Sequence, residues 1–370
     1  MKLSYWEKKS WFTDVDYCVV GSGIVGLNCA LHLKLKHPKA KVLVLERGIL
    51  PLGASTKNAG FACFGSVSEL LADLKNQSQD EVIELVRQRK NGLELLRRTL
   101  GDKNMDYQQH GGYEVFLKED KHLYEECISK IKDINILLKT VFKDEVFNTT
   151  SNRFNFKNIQ PNLIFNKFEG QIDVGKMMQS LLQKVRSLGV MILNSIEVLN
   201  FQSQTSSVNI QLKDFEFTSK KLFLATNAFA KQLLNVNLQP ARNQVLITKP
   251  INNLNIKGTF HLHEGYYYFR NIDNRILIGG GRHLDKTAET TNVFGTTDNI
   301  LNPLQDLLTE IVLPNTDFTI EQAWSGILGV GNTKSPIVQQ IQNNVFCGVR
   351  LGGMGVAIGS EVGKKLASFV

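Results

Sequence analysis

The sequence predicts an α/β chain of two interleaved domains, one wound on a parallel βαβ unit and one built around a mixed β-sheet. Three observations carry this. Residues 16–46 read as strand, glycine turn, helix and strand. The stretch 244–280 is dominated by short alternating strands, whereas 345–370 returns to strand, glycine turn and helix. No linker rich in Pro, Gly or Ser and no repeat separates these parts. A chain of 370 residues, enough for about two domains, must therefore cross between them more than once.

The elements follow in order. Residues 17–20 form a short apolar β run, 21–26 a turn, 27–35 a helical stretch, and 41–45 (KVLVL) a strand ending at Glu46. Nearly unbroken aliphatic strands suit a parallel sheet covered on both faces. A run of small residues occupies 53–65. The stretch 79–100 is an amphipathic helix with Val82, Leu85, Val86, Leu93 and Leu96 on one face. Residues 113–117 read as a strand, 121–138 as a helix, and 174–188 as a helix with Asp173 at its N-cap. Short strands are expected at 190–193, 196–201, 208–212 and 222–225, then at 244–249, 266–270 and 275–279.

Composition narrows the class. Hydrophobic residues make up 42% and charged residues 21%, an ordinary globular balance. No window approaches the roughly 18 apolar residues of a membrane span. The basic start has Glu7 and Lys8 where a secretory signal needs its apolar run, so a cytoplasmic location is expected. Five cysteines with no CxxC spacing read as reduced thiols, and seven histidines without an HExxH pattern give no metal site. Lys and Arg number 43 against 35 Asp and Glu, a net +8. The lysines are scattered, which fits a solvated basic surface better than a nucleic-acid partner.

The turn Gly21-Ser22-Gly23-Ile24-Val25-Gly26 carries the first chemistry. Gly21 allows the sharp exit from the strand, Gly23 lets a pyrophosphate approach the backbone, and Gly26 lets the helix pack on the sheet. The helix N-terminus offers N–H donors and partial positive charge to phosphates. Glu46, followed by Arg47, stands where a carboxylate accepts from ribose hydroxyls. A glycine turn alone suits any tight βα junction. Strand, helix, second strand and acid in this order point to a dinucleotide, and an unphosphorylated ribose favours FAD or NAD over NADP.

The loop Ala54-Ser55-Thr56-Lys57-Asn58-Ala59-Gly60-Phe61 then breaks the βαβ repeat expected of a nicotinamide enzyme. With it the chain resembles the D-amino-acid oxidase superfamily of FAD-dependent oxidoreductases, glycine oxidase and sarcosine oxidase among them. In that family a small-residue G-A-S-[ST]-[RK]-N-[AS]-G loop wraps the cofactor. Three more segments keep the family order: Ala225-Thr226-Asn227 after a strand, Pro240-Ala241-Arg242-Asn243-Gln244-Val245 resembling P-x-R-G-Q-V, and a C-terminal turn with Gly352, Gly353, Met354, Gly355 and Val356 resembling the flavin-covering element. The resemblance also sets Val198 against the adenine and Gly326 near the cofactor. It implies an FAD-binding, Rossmann-like domain from 1–75, 165–235 and 324–370, interleaved with a mixed-sheet substrate domain from 76–164 and 236–323.

What the resemblance implies for function is oxidation of a small-molecule amine or amino acid, with hydride passing to flavin N5 and the imine then hydrolysed. Departures qualify this. The W-x-G-x-R-P run that carries the family's carboxylate-binding arginine is Trp324-Ser325-Gly326-Ile327-Leu328-Gly329 here, with leucine at the arginine position. Arg350 is then the best-placed remaining cation. Tyr266 and Tyr268, alternating on one strand, are expected to line the substrate cavity, with Arg270 and His263 as further candidates. Leu277 stands where sarcosine oxidases place the lysine that helps oxygen react, so oxygen and other electron acceptors both stay open. The matching segment lacks the linking cysteine, so the FAD is expected to be noncovalent. A flavin-dependent 2-hydroxy acid oxidoreductase, a tRNA-modifying flavoenzyme of the same family and a non-catalytic flavin-binding protein remain as alternatives.

Overall fold

The computed structural model describes residues 3–370. Its first sheet has the strand Val15–Val20 at the centre, with parallel neighbours Val42–Leu45 and Glu216–Leu224. Met191–Leu193 extends it beyond Val42–Leu45, and Val345–Val349 extends it beyond Glu216–Leu224, both in parallel. Ile337–Gln342 closes that edge antiparallel, while Val208–Leu212 and Val198–Ser203 branch off Glu216–Leu224. Val42–Leu45 is buried at every position, which is why its sequence carries no polar alternation. The helices Ile24–Lys36, Val174–Ser187, Gln79–Leu100 and Gly355–Ala367 share one core with this sheet. The last helix is wedged tightly. A Cβ on its Gly363 would stand 2.6 Å from the Val25 carbonyl oxygen, and one on Gly92 would stand 2.3 Å from that of Ala357.

The second sheet runs Ile320–Val330, Gln239–Thr248, Arg275–Gly280, Tyr267–Ile272, Thr259–Leu262, Gly112–Glu114, Asn162–Asn166 and Phe147–Ser151. All its pairs are antiparallel except Thr259–Leu262 with Gly112–Glu114. One face packs on the helix Asp298–Leu307 through an aromatic stack in which Phe260 and Phe269 lie 4.5 Å apart. The other face looks towards the loop after Val42–Leu45. Along it Trp324, Val245, Gly279, Tyr268, His261 and Glu114 stand opposite one another on successive strands, forming a single row.

The helix Gln79–Leu100 has the expected limits, and Asp173 caps Val174–Ser187 by accepting from the Lys176 N–H at 2.9 Å. Other elements differ. The strand expected at 113–117 ends at Glu114, and the one expected at 266–270 starts at Tyr267. Glu264 and Gly265, both at positive φ, form a turn that delays this start. Ile320–Val330 straddles the expected domain boundary at 324 but pairs with Gln239–Thr248 nearly throughout, so it belongs with the second sheet. Asn162–Asn166 straddles 165 in the same way.

Candidate functional site

The glycine turn lies at the carboxyl ends of the parallel strands, where open α/β sheets bind ligands. Gly21 has φ of 101°, and a Cβ there would come within 2.8 Å of the Ala225 carbonyl oxygen. A Cβ on Gly26 would come within 1.9 Å of the Gly21 carbonyl oxygen, so only glycine lets the helix seat on the turn. Gly23 faces Ser55, whose Oγ accepts from the Ile24 N–H at 2.9 Å. This hydrogen bond ties the start of the helix to the small-residue loop. Glu46 is 5% exposed and knits the turn together. It accepts from Ser22 N–H at 3.0 Å, Ser22 Oγ at 2.9 Å, Gly48 N–H at 3.0 Å and Leu52 N–H at 3.4 Å.

A cleft of about 1120 Å³, part of it open to solvent, lies over this turn. Of the expected cofactor residues, Gly21, Gly23, Ile24, Val25, Glu46, Arg47, Ala54, Ser55, Asn58, Val198, Ala225, Thr226, Asn227, Gly353, Gly355 and Val356 line it. Sequence reasoning missed Leu52, Phe229, Gln232 and Ile327, which also line it. Phe229 takes the Arg47 guanidinium on its ring at 3.8 Å. Phe229, Gln232 and Ile327 are brought in by the chain's later crossings, whereas Leu52 directly precedes the small-residue loop. The N-termini of Ile24–Lys36 and Gly355–Ala367 both open on the cleft, and Thr226 Oγ is buried there with no hydrogen-bond partner. Two helix dipoles, a buried carboxylate and an orphaned hydroxyl suit the pyrophosphate and ribose of a dinucleotide.

The other expected cofactor residues act from behind the lining. Ser22 holds Glu46, and Thr56 Oγ donates to the Pro51 carbonyl at 2.6 Å. The Lys57 carbonyl accepts from Trp324 Nε1 at 3.0 Å, and Gly326 sits against the Lys57 side chain. Gly352 N–H donates to the Gly329 carbonyl at 3.1 Å, and Met354 Sδ lies 3.8 Å from Cys63 Sγ. Ala59, Gly60 and Phe61 press on the second sheet. Arg270 Nε donates to the Ala59 carbonyl at 2.5 Å and Nη2 to that of Ile172 at 2.9 Å, with Gly60 packed on the guanidinium. Burial pulls Arg270 down to about 10 against the Asp173, Asp273 and Asp106 carboxylates, while its hydrogen bonds go to carbonyl oxygens.

Three expectations need correction. Arg350 does not line the cleft. Its Nε donates to the Ser335 carbonyl at 3.0 Å, Nη1 to that of Asn237 at 3.0 Å, and Nη2 to Thr333 Oγ at 3.2 Å. The guanidinium ties surface segments together and does not aim at a substrate. Tyr266 is 39% exposed and precedes the strand, so it shares no face with Tyr268. Its ring lies 4.8 Å from that of His283. His263 likewise pairs with Asp120 at 3.1 Å, away from the cleft.

Tyr268 does face the loop, with its ring 5.5 Å from that of Phe61, and burial pushes its phenol up to about 12. Its row neighbours His261 and Glu114 went unnoticed in the sequence because each is a lone polar residue in an apolar run. Burial alone would pull His261 down, but the Glu169 carboxylate at 2.9 Å lifts it to about 9. Burial pushes Glu114 up to about 7 against the pull of the Ser68 and Ser66 hydroxyls. Among the described residues no group of His, Cys, Asp and Glu can hold a metal, and no helix is long and apolar enough to cross a membrane.

Comparison with known proteins agrees with this geometry. A family model described as FAD-dependent oxidoreductase matches residues 16–369. The probable oxidoreductase OrdL of Haemophilus influenzae is 21% identical, over 96% of this chain and 82% of that protein. Similar solved structures include L-proline dehydrogenase from P. horikoshii, with TM-score 0.75 at 17% identity over 96% of this chain and 93% of that one. Glycine oxidase from Geobacillus kaustophilus has TM-score 0.74 at 16% identity, over 95% and 93%. Iminodiacetate oxidase from Chelativorans sp. BNC1 has TM-score 0.75 at 17% identity, over 95% and 94%.

Proposed function

This chain belongs to the family of FAD-dependent oxidoreductases, and from that membership we propose that it oxidises the carbon–nitrogen bond of a small amine or amino acid. Bound FAD would supply the hydride acceptor for the carbon next to nitrogen, leaving an imine for water to hydrolyse. The observation that carries the reading is the continuity of the cofactor cleft with the second sheet. Leu328 lines the cleft, and its strand neighbours carry the row with Trp324 and Tyr268.

The chain's own residues would bind and orient. The two helix N-termini and the Ser55 loop hold the pyrophosphate, Glu46 the ribose, and Arg47 with Phe229 the adenosine end. Phe61, Trp324 and Tyr268 supply an apolar wall that keeps water from the reacting carbon. Tyr268 stays a neutral phenol at ordinary pH. An amine bound as its free base needs no side-chain base, because its own lone pair drives the hydride out.

Anaerobic mixing of the FAD-loaded protein with a panel of amines, amino acids and 2-hydroxy acids tests this. Bleaching of the flavin absorbance by amines or amino acids is the expected result. Bleaching by hydroxy acids alone would replace the reading with a hydroxy-acid oxidoreductase. Reoxidation by oxygen or by an artificial acceptor then separates oxidase from dehydrogenase.

A further inference from the structure

Resting on that reading, we propose that Asn243 receives the substrate's nitrogen: its side-chain oxygen accepts an N–H, which makes the substrate a primary or secondary amine. Asn243 lies on Gln239–Thr248 opposite Gly326, two pairs along from Ala241 and Leu328. Residues two apart on a strand share a face, so the amide lies on the face where Leu328 lines the cleft and Gly326 rests against Lys57. The related P-x-R-G-Q-V element has glycine at this position, so the amide is a feature of this chain.

The amide is half committed. Its Nδ2 donates to the Tyr268 hydroxyl at 3.4 Å, while Oδ1 is buried and has no hydrogen-bond partner. A buried acceptor left unpaired is costly and uncommon in folded proteins. A ligand that brings a donor removes the penalty. The surroundings say which donor. Phe61, Tyr268 and Trp324 are apolar walls, and nearby cations are already engaged: Arg270 on two carbonyls, Lys57 5.4 Å from the ring centre of Phe294. His261 is likewise paired with Glu169, and Arg282, whose charge reaches the Tyr268 phenol, lies over the Tyr266 ring. A neutral amide oxygen holds an N–H without stabilising the ammonium form as a carboxylate would, which leaves the nitrogen lone pair free for the oxidation step.

The probe is tert-butylamine, whose nitrogen-bearing carbon has no hydrogen, so it binds without being oxidised. Its dissociation constant is read from the perturbation of the flavin spectrum in the FAD-loaded protein. Asn243→Leu should raise that constant roughly three- to tenfold, the range of one hydrogen bond, with FAD content unchanged. Asn243→Asp keeps the acceptor and the shape, so it should bind at least as tightly as the wild type. It should also move anaerobic reduction by a substrate amine to higher pH, because the new carboxylate stabilises the ammonium. Tetramethylammonium, of similar size but with no N–H, should not distinguish wild type from Asn243→Leu. The proposal is overturned if tert-butylamine does not bind, if Asn243→Leu leaves its affinity unchanged, or if Asn243→Asp loses binding as leucine does. That last outcome would mean that the amide presents its NH2 group to the site. If no amine or amino acid reduces the flavin, the functional reading falls and this proposal with it. Reduction by amines with an indifferent Asn243 removes this proposal alone.

Discussion

Replacing Glu46 by Ala separates the knitting of the turn from the ribose contact proposed for this carboxylate. The carboxylate would meet ribose hydroxyls at the cleft, yet it already accepts from three donors within 3.0 Å and from Leu52 N–H at 3.4 Å. Hydrogen bonds to a charged acceptor contribute about 1.5–3 kcal/mol each, and neighbouring ones do not add. Water entering the cleft can satisfy some of the freed donors. We therefore expect the apoprotein to lose about 2–4 kcal/mol, which for a chain of this size lowers Tm by roughly 3–5 °C. Loss of the ribose contact should separately weaken FAD by about ten- to hundredfold. Thermal melts of apo and loaded protein, with FAD titrations at a temperature where both variants are folded, measure the two effects independently. An unchanged apoprotein Tm would refute the knitting role, and an unchanged FAD dissociation constant would refute the ribose contact. Glu46→Gln sharpens the result: its NH2 must face an N–H donor at Ser22 or Gly48, so it should rescue stability only in part.

Three further outcomes follow from the geometry. Arg350→Met should lower Tm, because three hydrogen bonds to Ser335, Asn237 and Thr333 are lost, while KM for any substrate amine stays within about twofold; a steep rise in KM would restore a substrate role. Arg270→Met should loosen the loop at Ala59–Gly60 and weaken FAD, seen as faster proteolysis near residue 60 in the apoprotein; an unchanged cleavage rate and FAD affinity would contradict this. The His261 imidazole, raised from 6.5 to about 9 by Glu169, contributes stability in full below pH 6.5 and loses it as pH rises through 9. Tm should fall across that window in the wild type and fall less in Glu169→Gln; parallel curves for the two proteins would sink the assignment.

The cofactor half of the site was legible because its signals are local. A tight turn needs glycine at Gly21 and Gly26, the neighbouring loop needs small residues, and the acid ends the next strand. The substrate half was not, because its residues meet only through strand pairing. Asn243 gains its meaning from Gly326 and Tyr268, which are distant in sequence. Tyr266 and Tyr268 read as one face only while the strand was thought to include both, and the Gly265 turn removes that premise. Arg350 precedes the glycines of the flavin-covering turn in sequence, but its own φ of 66° accompanies a side chain directed to Ser335 and Asn237. The strand Ile320–Val330 escaped notice because its glycines and lone tryptophan break the two-residue alternation on which strand recognition depends.

The strand order of the first sheet also governs biosynthesis. Val15–Val20 is synthesised well before its partner Glu216–Leu224. The cleft wall formed by Gly353, Gly355 and Val356 follows later still. The nascent glycine turn and Glu46 therefore wait, with Val15–Val20 unpaired on its Glu216–Leu224 side, until those later segments emerge. Contacts this distant fold slowly and leave sticky edges exposed in the interim. FAD can be captured firmly only once the helix Gly355–Ala367 has seated against Val25 and Gly92. Cofactor loading should thus be a post-translational event in this chain, and overproduction that outruns it should yield aggregated apoprotein rather than soluble protein short of flavin.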